Sequence, residues 1–374
     1  MAPKSVTATP PVLSGRALNR ATLARQLLLH RTTMAAEDAV THLVGLQAQN
    51  PQPPYYALAA RLQGFRPEEL SRLMEDRTVA RTVSLRSTLH THTAADIRAL
   101  GPLVQPARDR EIAVFRKGLA GVDRDALAGL VRELVEERPR APRELRAALS
   151  ARWPDADPLA LTVAARCLLP LVQVTPRGLW GRGGGVALTT ADVWFGGAAD
   201  DPGLTLDGLV LRYLGAFGPA TVKDVQTWAG LTRLREVFAR LRPRLAVFRD
   251  PYGHELFDLP GSPRPDPGTP APPRLLPEFD NLLLSHADRT RLVPPAYKGR
   301  TWQGNQARRA FLVDGFLAGT WRLSQEGDRL VLTLEPFVPL ARDERAALSD
   351  EAALTLDLMG EGRPYDVRLG SPDE

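Results

Sequence analysis

The sequence has almost no cysteine, little lysine and no long apolar run. The single cysteine among 374 residues, Cys167, excludes an internal disulfide, and its apolar surroundings predict a buried thiol in a cytoplasmic protein. No stretch of about 18 apolar residues is present, so no transmembrane helix is predicted. Residues 1–12 lack the apolar centre of a secretory signal and are predicted to be a short disordered lead.

The positive charge is carried almost entirely by arginine. The formal net charge is +5 and the sequence pI is about 9.6, whereas lysine occurs only at Lys4, Lys117, Lys223 and Lys298. The planar arginine fork suits phosphates and base edges. An Ala-, Arg-, Pro- and Gly-rich composition is also typical of a GC-rich genome. The charge alone therefore leaves open whether the protein binds nucleic acid.

The order of predicted elements repeats along the chain. Apolar spacing predicts helices over 18–30, with Asn19 as N-cap, and over 34–47, followed by a β segment at 82–93. Short helices followed by a hairpin recur twice more, ending in a hairpin around residues 250–253. This order is typical of winged helices, so we predict three tandem units at residues 13–120, 121–200 and 201–260.

The chain changes character after a proline-rich linker at residues 261–274. Residues 275–374 are predicted to form a separate β-rich domain, with a hairpin turning at Asp314-Gly315 and a helix near 342–359. The fold class is therefore α+β: three winged-helix units plus a C-terminal β-rich domain. Such an array would form a clamp around a DNA duplex. A non-catalytic DNA-binding protein, a regulator or lesion-sequestering factor, and a protein-interaction scaffold are the alternatives.

The segment "GLQAQNPQPP" (45–54) places two glutamines beside a proline-broken loop. Asn50 precedes Pro51, which favours extended backbone, and in an extended segment Gln47 and Gln49 would project to one side. Two amide oxygens could then hold a water and stabilise a nearby positive charge, although an amide cannot act as a base. The alternative is that both glutamines cap exposed helix carbonyls, and the spacing alone favours that alternative.

Other polar residues form weaker candidates. Asp280, Asn281 and His286, with Arg289 nearby, would line a DNA channel or form a buried polar cluster between the domains. Arg86 is predicted to contact phosphate. His90 and His92 alternate on a predicted strand, where solvent-facing or phosphate-facing positions are favoured over a metal pair.

A basic and aromatic segment covers residues 297–311. Cations interleaved with aromatic and amide side chains suit phosphate contact and groove probing. We predict a projecting loop or hairpin that binds DNA, with a solvated loop as the alternative. The predicted DNA contacts here are Lys298, Arg300, Trp302, Gln303, Gln306, Arg308 and Arg309.

Several segments resemble the AlkZ family of bacterial winged-helix DNA glycosylases. The most specific are "LLPEFDNLLLSHADR" and the helix-rich stretch that ends in "LQAQN"; "SLRSTLHTHTAADI" and "FLVDGFLAGTWRL" add to them, and the resemblance covers nearly the whole chain after Leu13. It implies tandem winged helices with a C-terminal β-rich domain. It also implies excision of alkylated purines, notably N7-alkylguanine, and for some members unhooking of interstrand crosslinks. The family's catalytic glutamine–aliphatic–glutamine motif falls on Gln47, Ala48 and Gln49.

This substrate would explain a catalyst that does not titrate. An N7-alkylated guanine already carries positive charge and leaves without a general acid, so oriented amides can suffice. The resemblance therefore implies a monofunctional DNA glycosylase with no metal or other cofactor. It would act as a monomer on duplex DNA in the cytoplasm, associated with the nucleoid. A bulky crosslinked base argues for an open active site.

Overall fold

The first helix begins earlier than the sequence predicts. The computed structural model describes residues 10–197 and 203–371. Helix α1 (Gly15–Arg25) is capped by the Ser14 hydroxyl, which accepts from the Ala17 amide. The predicted cap at Asn19 is wrong: Asn19 is buried and donates to the Arg291 and Gly315 carbonyls at 2.8 and 2.7 Å. Of the predicted lead, residues 1–9 lie outside the described residues, while Val12 forms a β-bridge with Arg249.

Strands predicted for the first two units form one sheet. Its order is β1-β3-β2-β4-β5, with β1 and β3 antiparallel and β2 and β4 antiparallel. The strands are β1 (Leu46–Gln47), β2 (Val79–Val83), β3 (Leu89–Thr93), β4 (Leu171–Gln173) and β5 (Leu188–Thr190). Helices α2 (Ala36–His42), α3 (Pro53–Ala59) and α4 (Pro67–Glu75) precede the β2–β3 hairpin. Because strands from both sides of residue 120 join this sheet, the boundary predicted there does not separate two sheets.

A long helix follows the hairpin where none was predicted. Helix α5 (Ala94–Val114) runs for 21 residues with Pro102 and Pro106 inside it. An internal proline removes one helical hydrogen bond and usually ends a helix, so the sequence predicts a helix break at these positions. The next helices are α6 (Arg124–Glu137), α7 (Pro142–Arg152), α8 (Pro158–Leu168) and α9 (Ala191–Phe195). Helices α6, α7 and α8 pack into a separate apolar cluster that includes Leu127, Leu149 and Leu161, whereas α9 packs with Ala80 and Val172.

The third predicted unit has the expected order of elements. Helices α10 (Leu206–Phe217), α11 (Val222–Ala229) and α12 (Arg235–Leu241) precede a hairpin of β6 (Ala246–Arg249) and β7 (Glu255–Asp258). Gly218 and Gly230 end α10 and α11 as predicted, and Gly230 takes the left-handed conformation with φ +69° that favours glycine.

The C-terminal region is mainly a five-stranded sheet. Its order is β14-β13-β12-β11-β8, and β11 and β12 turn at Asp314-Gly315 as predicted. Its elements are β8 (Arg274–Leu276), α13 (Asn281–Leu284), β9 (Trp302–Gln303), β10 (Gln306–Ala307), β11 (Ala310–Val313), β12 (Phe316–Glu326), β13 (Arg329–Pro336), α14 (Arg342–Met359) and β14 (Tyr365–Leu369). Mixed helices and sheets confirm the α+β class.

The C-terminal sheet shares its core with the N-terminal helices. Tyr56 of α3 packs edge-on against Trp321 of β12, with ring centroids 5.5 Å apart. Both belong to one apolar cluster with Leu70 of α4 and Leu348 of α14. The predicted separate domain is thus joined to α2–α4 by buried apolar surface rather than only by a linker.

The proline-rich linker is held along helix α1. Arg16 and Arg20 donate to the carbonyls of Pro267 and Thr269 at 2.7 and 2.6 Å. The same two arginines form ion pairs with Asp314, and Arg25 pairs with buried Asp258 at 2.5 Å. Within the described residues, no helix combines the length and apolar character needed to cross a membrane.

Candidate active site

A sharp turn after α2 leads into the short strand that contains Gln47, and the backbone bends again at Gln49. Helix α2 ends at His42, and Val44 and Gly45 then adopt φ values of 55° and 87°. A Cβ atom at Gly45 would lie 2.2 Å from the His92 ring, so only glycine fits. The helix predicted to reach residue 47 therefore stops five residues earlier. Gln47 lies in β1, opposite His90 of β3.

Asn281 holds the backbone of β1 from the C-terminal region. Its Oδ1 accepts from the Gln47 amide at 3.3 Å, and its Nδ2 donates to the Gly45 carbonyl at 2.5 Å. One residue further on, Arg81 donates to the Ala48 carbonyl at 2.6 Å, and the Ala48 amide donates to Leu89. The backbone of the motif is therefore fixed on both sides.

The Gln47 side chain is buried against an arginine. Its Oε1 accepts from Arg86 Nη2 at 2.7 Å, and only 7% of Gln47 is exposed. Arg86 also donates to the Trp228 carbonyl at 2.5 Å. Gln47 thus accepts a hydrogen bond from a guanidinium. The alternative that the spacing favoured, capping of exposed helix carbonyls, does not describe this side chain.

Arg86 occupies a strained turn and remains partly buried. Arg86 and Ser87 have φ values of 54° and 57°, in the left-handed region that non-glycine residues seldom adopt. Burial, with a contribution from the neighbouring Arg289 charge, lowers the Arg86 pKa to about 10. Arg86 is therefore still a cation at neutral pH. The sequence predicted that it contacts phosphate; in the structure it contacts Gln47, and the phosphate contact remains a prediction.

Two buried histidines lie beneath this pair. His90 and His92 stack with centroids 5.5 Å apart, and both are at most 1% exposed, so the predicted outward-facing position is wrong. His90 Nδ1 lies 3.0 Å from the Thr88 carbonyl, which assigns the proton to Nδ1 and leaves Nε2 as an acceptor, 3.4 Å from Arg86. Burial lowers the pKa of His90 well below its usual value and that of His92 to about 4. Both rings are neutral.

Gln49 has the opposite environment. It is exposed and lines a cavity of about 600 Å³ between β3 and helices α7 and α8. The wall is largely apolar and includes Leu145, Leu159 and Val163, of which Leu159 is 53% exposed; Arg146 and Arg166 also line the cavity. The two glutamines thus differ: Gln47 is bound inside the protein and Gln49 faces an open cavity.

Three predicted channel residues lie inside the protein. Asp280 is 3% exposed and forms two hydrogen bonds with Arg61, at 2.8 and 2.9 Å. His286 is 1% exposed, with Nε2 3.1 Å from the Phe217 carbonyl, and burial lowers its pKa to about 3. Together with the backbone contacts of Asn281, this makes the buried polar cluster the better description. Unpaired burial of such groups would be costly.

A second cavity, of about 430 Å³, opens between the polar cluster and the β9–β10 hairpin. Phe279 and Trp302 meet edge-on across it, with centroids 5.8 Å apart. Three cations also line it: Arg289, Lys298 and Arg308. Burial lowers the pKa of Arg289, and no carboxylate in the described part of the chain pairs with it.

The predicted hairpin within residues 297–311 is present, but its arginines differ. Strands β9 and β10 expose Trp302, Gln303 and Gln306, and Arg308 is exposed beside them. Arg309 instead pairs with Glu278 at 3.0 Å and lies over the Trp321 ring at 4.8 Å. Arg300 lies over the Phe337 ring at 4.2 Å. Arg309 and Arg300 therefore have structural contacts that the sequence did not predict.

Comparison with known proteins agrees with this architecture. Residues 40–357 match the family described as "DNA glycosylase AlkZ-like". A curated relative from Streptomyces sahachiroi, "Interstrand DNA cross-link repair glycosylase", is 26% identical over 356 residues, covering 88% of this chain and 92% of that protein. The solved structure of Streptomyces sahachiroi DNA glycosylase AlkZ superposes with a TM-score of 0.77 at 23% identity, covering 96% of this chain and all of that chain. Because this family match spans residues 40–357, most of the sequence, the chain belongs to the AlkZ-like family of DNA glycosylases.

Proposed function

We propose that the protein is a monofunctional DNA glycosylase that hydrolyses the N-glycosidic bond of alkylated purines, N7-alkylguanine in particular. Gln47 and Gln49 are its catalytic residues. The observation that carries the proposal is the Gln47–Gln49 segment itself: its backbone is held at Gln47 and Ala48, the Gln49 side chain is exposed at a cavity, and no carboxylate is among the described hydrogen-bond partners of Gln47. Such a site lacks a strong acid and base, and this limits it to substrates that need neither.

An N7-alkylated purine is such a substrate. Its base carries a positive charge before the bond breaks, so it leaves as a neutral molecule without being protonated. The sugar then develops oxocarbenium character at the anomeric carbon. Amide oxygens of Gln47 and Gln49 would stabilise that charge and orient the attacking water through its hydrogens. A covalent lysine intermediate is not required, and strand cleavage would not follow.

The cavity beside Gln49 is of suitable size for a substituted purine. Its volume of about 600 Å³ falls within the usual range of small-molecule sites, roughly 300–1,000 Å³. Because Gln49 is exposed, a lesion could reach it without complete enclosure of the base. This supports extending the proposal to purines crosslinked between strands, the lesion in the name of the Streptomyces relative. DNA repair or self-resistance to an alkylating natural product would be the biological role.

The duplex would bind along the basic hairpin and the successive helical units. Three helix-rich units, each followed by a hairpin, are the arrangement from which winged helices surround DNA, and the protein would act as a monomer on nucleoid DNA in the cytoplasm. Lys298, Arg308 and Arg289 would contact phosphates, while Trp302, Gln303 and Gln306 would probe a groove. Their exposure or lack of ionic partners supports these assignments.

The decisive assay is release of N7-methylguanine from a duplex with one lesion. We expect abasic sites that break only after alkali treatment. Gln47→Ala with Gln49→Ala should abolish release and keep DNA affinity, whereas Gln325→Ala, at an exposed position on β12, should behave as the native protein. Release by the double variant would refute the assignment of the glutamines. No release by the native protein from any alkylated duplex would favour a non-catalytic regulator or sequestering factor.

A further inference from the structure

A cation contacts the amide oxygen that the proposed reaction needs. Arg86 Nη2 donates to Gln47 Oε1 at 2.7 Å. An oxygen that faces an oxocarbenium ion must direct its negative end towards that ion. The guanidinium takes one of the two lone pairs of this oxygen, and its own charge repels the developing cation. This arrangement of Arg86 therefore opposes the transition state.

Arg86 lacks a counter-ion among the described residues. Its contacts are the Trp228 carbonyl, the Gln47 amide and the neutral His90 ring. Nearby carboxylates are already engaged: Asp280 pairs with Arg61, Glu278 with Arg309, and Glu111 with Arg166. A partly buried cation without an anion is unfavourable, so an anion placed here would bind strongly.

Arg289 provides a second cation, carried by the segment that contacts the start of helix α11. Ala287, two residues before it, donates to Asp224 at the start of α11, while Arg86 donates to Trp228 near the end of that helix. The two charges lie close enough for Arg289 to contribute to the depressed pKa of Arg86. The adjacent Asp288 does not neutralise Arg289, because its two oxygens accept from the amide and hydroxyl of Thr290 at 2.9 and 3.0 Å. Two guanidinium groups that each lack an ion-pair partner among the described residues are suited to a phosphodiester.

We propose that a backbone phosphate next to the lesion binds between Arg86 and Arg289, and that it draws Arg86 away from Gln47. This DNA-dependent switch rests on the catalytic role proposed for Gln47. It requires only a side-chain movement: the phosphate oxygens replace Gln47 Oε1 as the acceptor of Arg86 Nη2. The Gln47 oxygen then becomes free to face the sugar, and the phosphate charge compensates the guanidinium. Binding of this DNA phosphate and activation of the Gln47 amide then occur together.

Neutral phosphate analogues test the switch directly. A set of duplexes would each contain one N7-methylguanine and one methylphosphonate. The methylphosphonate would be placed in turn at each of the two nearest phosphates on either side of the lesion. With saturating native protein, one position should reduce single-turnover release about tenfold to a hundredfold, the range expected for loss of a charge-assisted hydrogen bond. The other positions should change release by less than about threefold.

Protein variants identify the groups that sense this phosphate. In Arg289→Gln and in Arg86→Met, the sensitive methylphosphonate should have little further effect, because its partner is already missing. Arg322→Gln removes an exposed cation on β12 that pairs with Glu335 and is not among the proposed DNA contacts, and it should keep the full native sensitivity. Thermal unfolding of each variant separates loss of folding from loss of coupling. A merely structural role of Arg86 would leave the sensitivity to methylphosphonate unchanged.

The outcomes separate the switch from the proposed function. Release that is insensitive at every position, or equally sensitive in Arg289→Gln and the native protein, would overturn the switch even though Gln47 remained essential. Absence of release from any alkylated duplex would refute the proposed function, and the switch with it. Loss of sensitivity in Arg86→Met and Arg289→Gln, with full sensitivity in Arg322→Gln, would support the switch.

Discussion

Asn281 bridges both backbone groups that flank Leu46, accepting from the Gln47 amide and donating to the Gly45 carbonyl. Gln47 and Asn281 are 234 positions apart in the sequence. Asn50 and Glu278 add a second contact between the same segments, at 3.2 Å. The two stretches that carry the strongest family resemblance therefore lie against each other. One segment contains the glutamines and the other sets their position.

Replacing Asn281 should reduce catalysis more than binding. Asn281→Ala removes both backbone contacts and allows β1 to shift, and a displacement of about 1 Å can cost roughly a hundredfold in rate. We expect single-turnover release to fall about tenfold to a hundredfold with little change in DNA affinity. Asn50→Ala is the control, since it loses only an exposed hydrogen bond. Equal rates for both variants would show that Asn281 does not position the motif.

Arg308 and Arg309 should have separable effects. Arg308→Ala should reduce the salt dependence of duplex binding by about one phosphate contact and leave thermal stability unchanged. Arg309→Ala should lower stability by about 1–3 kcal/mol, because Glu278 loses its partner and the Tyr56 and Trp321 rings lose a stacked cation. Fluorescence anisotropy over a salt series and thermal melts measure the two effects. The opposite pattern would place Arg309, and not Arg308, at the DNA.

Gly45→Ala should unfold the turn before the glutamines. The added methyl group would lie 2.2 Å from the His92 ring, and the backbone has φ 87°. We expect a loss of about 2–4 kcal/mol from overpacking and conformational strain together. Gly64→Ala is a matched control because Gly64 has φ 66° and no neighbour within 4 Å of an added Cβ. It should lose only about 1 kcal/mol. Similar denaturation midpoints for the two variants would contradict the steric argument.

Acid should destabilise the protein through its buried histidines. Burial lowers the pKa of His92 to about 4 and that of His286 to about 3. Because these folded-state values lie below about 6.5, the unfolded chain binds protons first as pH falls. Stability is fully present above pH 6.5 and is lost progressively towards pH 4. Each histidine should cost about 1 kcal/mol between pH 7 and 5.5.

Chemical denaturation at several pH values measures this loss, and His92→Gln should flatten the slope by about one proton. An unfolding free energy that is constant between pH 7 and 5.5 would contradict burial of neutral histidines. A slope that His92→Gln leaves unchanged would assign the proton uptake to other groups.

Elements with local signals could be predicted from the sequence. Helix α14 has the predicted bounds, and the glycine stops at Gly218 and Gly230 and the Asp314-Gly315 turn occur where expected. Helix α5 was missed because Pro102 and Pro106 suggest a break, yet packing against α8 and the surrounding apolar residues maintains it. Tertiary contacts there outweigh local preference.

The site could be predicted only in part. The resemblance made Gln47 and Gln49 candidates, and their catalytic role stays a prediction. No local pattern indicated that Gln47 would be buried and Gln49 exposed. Arg86 and Asn281 contact Gln47 through pairings that are distant in sequence, and no local pattern indicates such contacts. Gly45 was a usable signal that was missed. A glycine after an apolar helical stretch can end a helix, and here Gly45 lies in the turn that ends α2 and leads into the strand β1.

The arginines of helix α1 bear on how the chain is made. Arg16, Arg20 and Arg25 leave the ribosome early, whereas Asp258 and Asp314, their partners, are synthesised more than two hundred residues later. Until then, α1 carries charges that cannot be buried favourably. The N-terminal helix would therefore complete its docking only when the C-terminal sheet has emerged. A chain cut short before Asp314 would leave Arg16 and Arg20 without their carboxylate and would become a ready substrate for proteases.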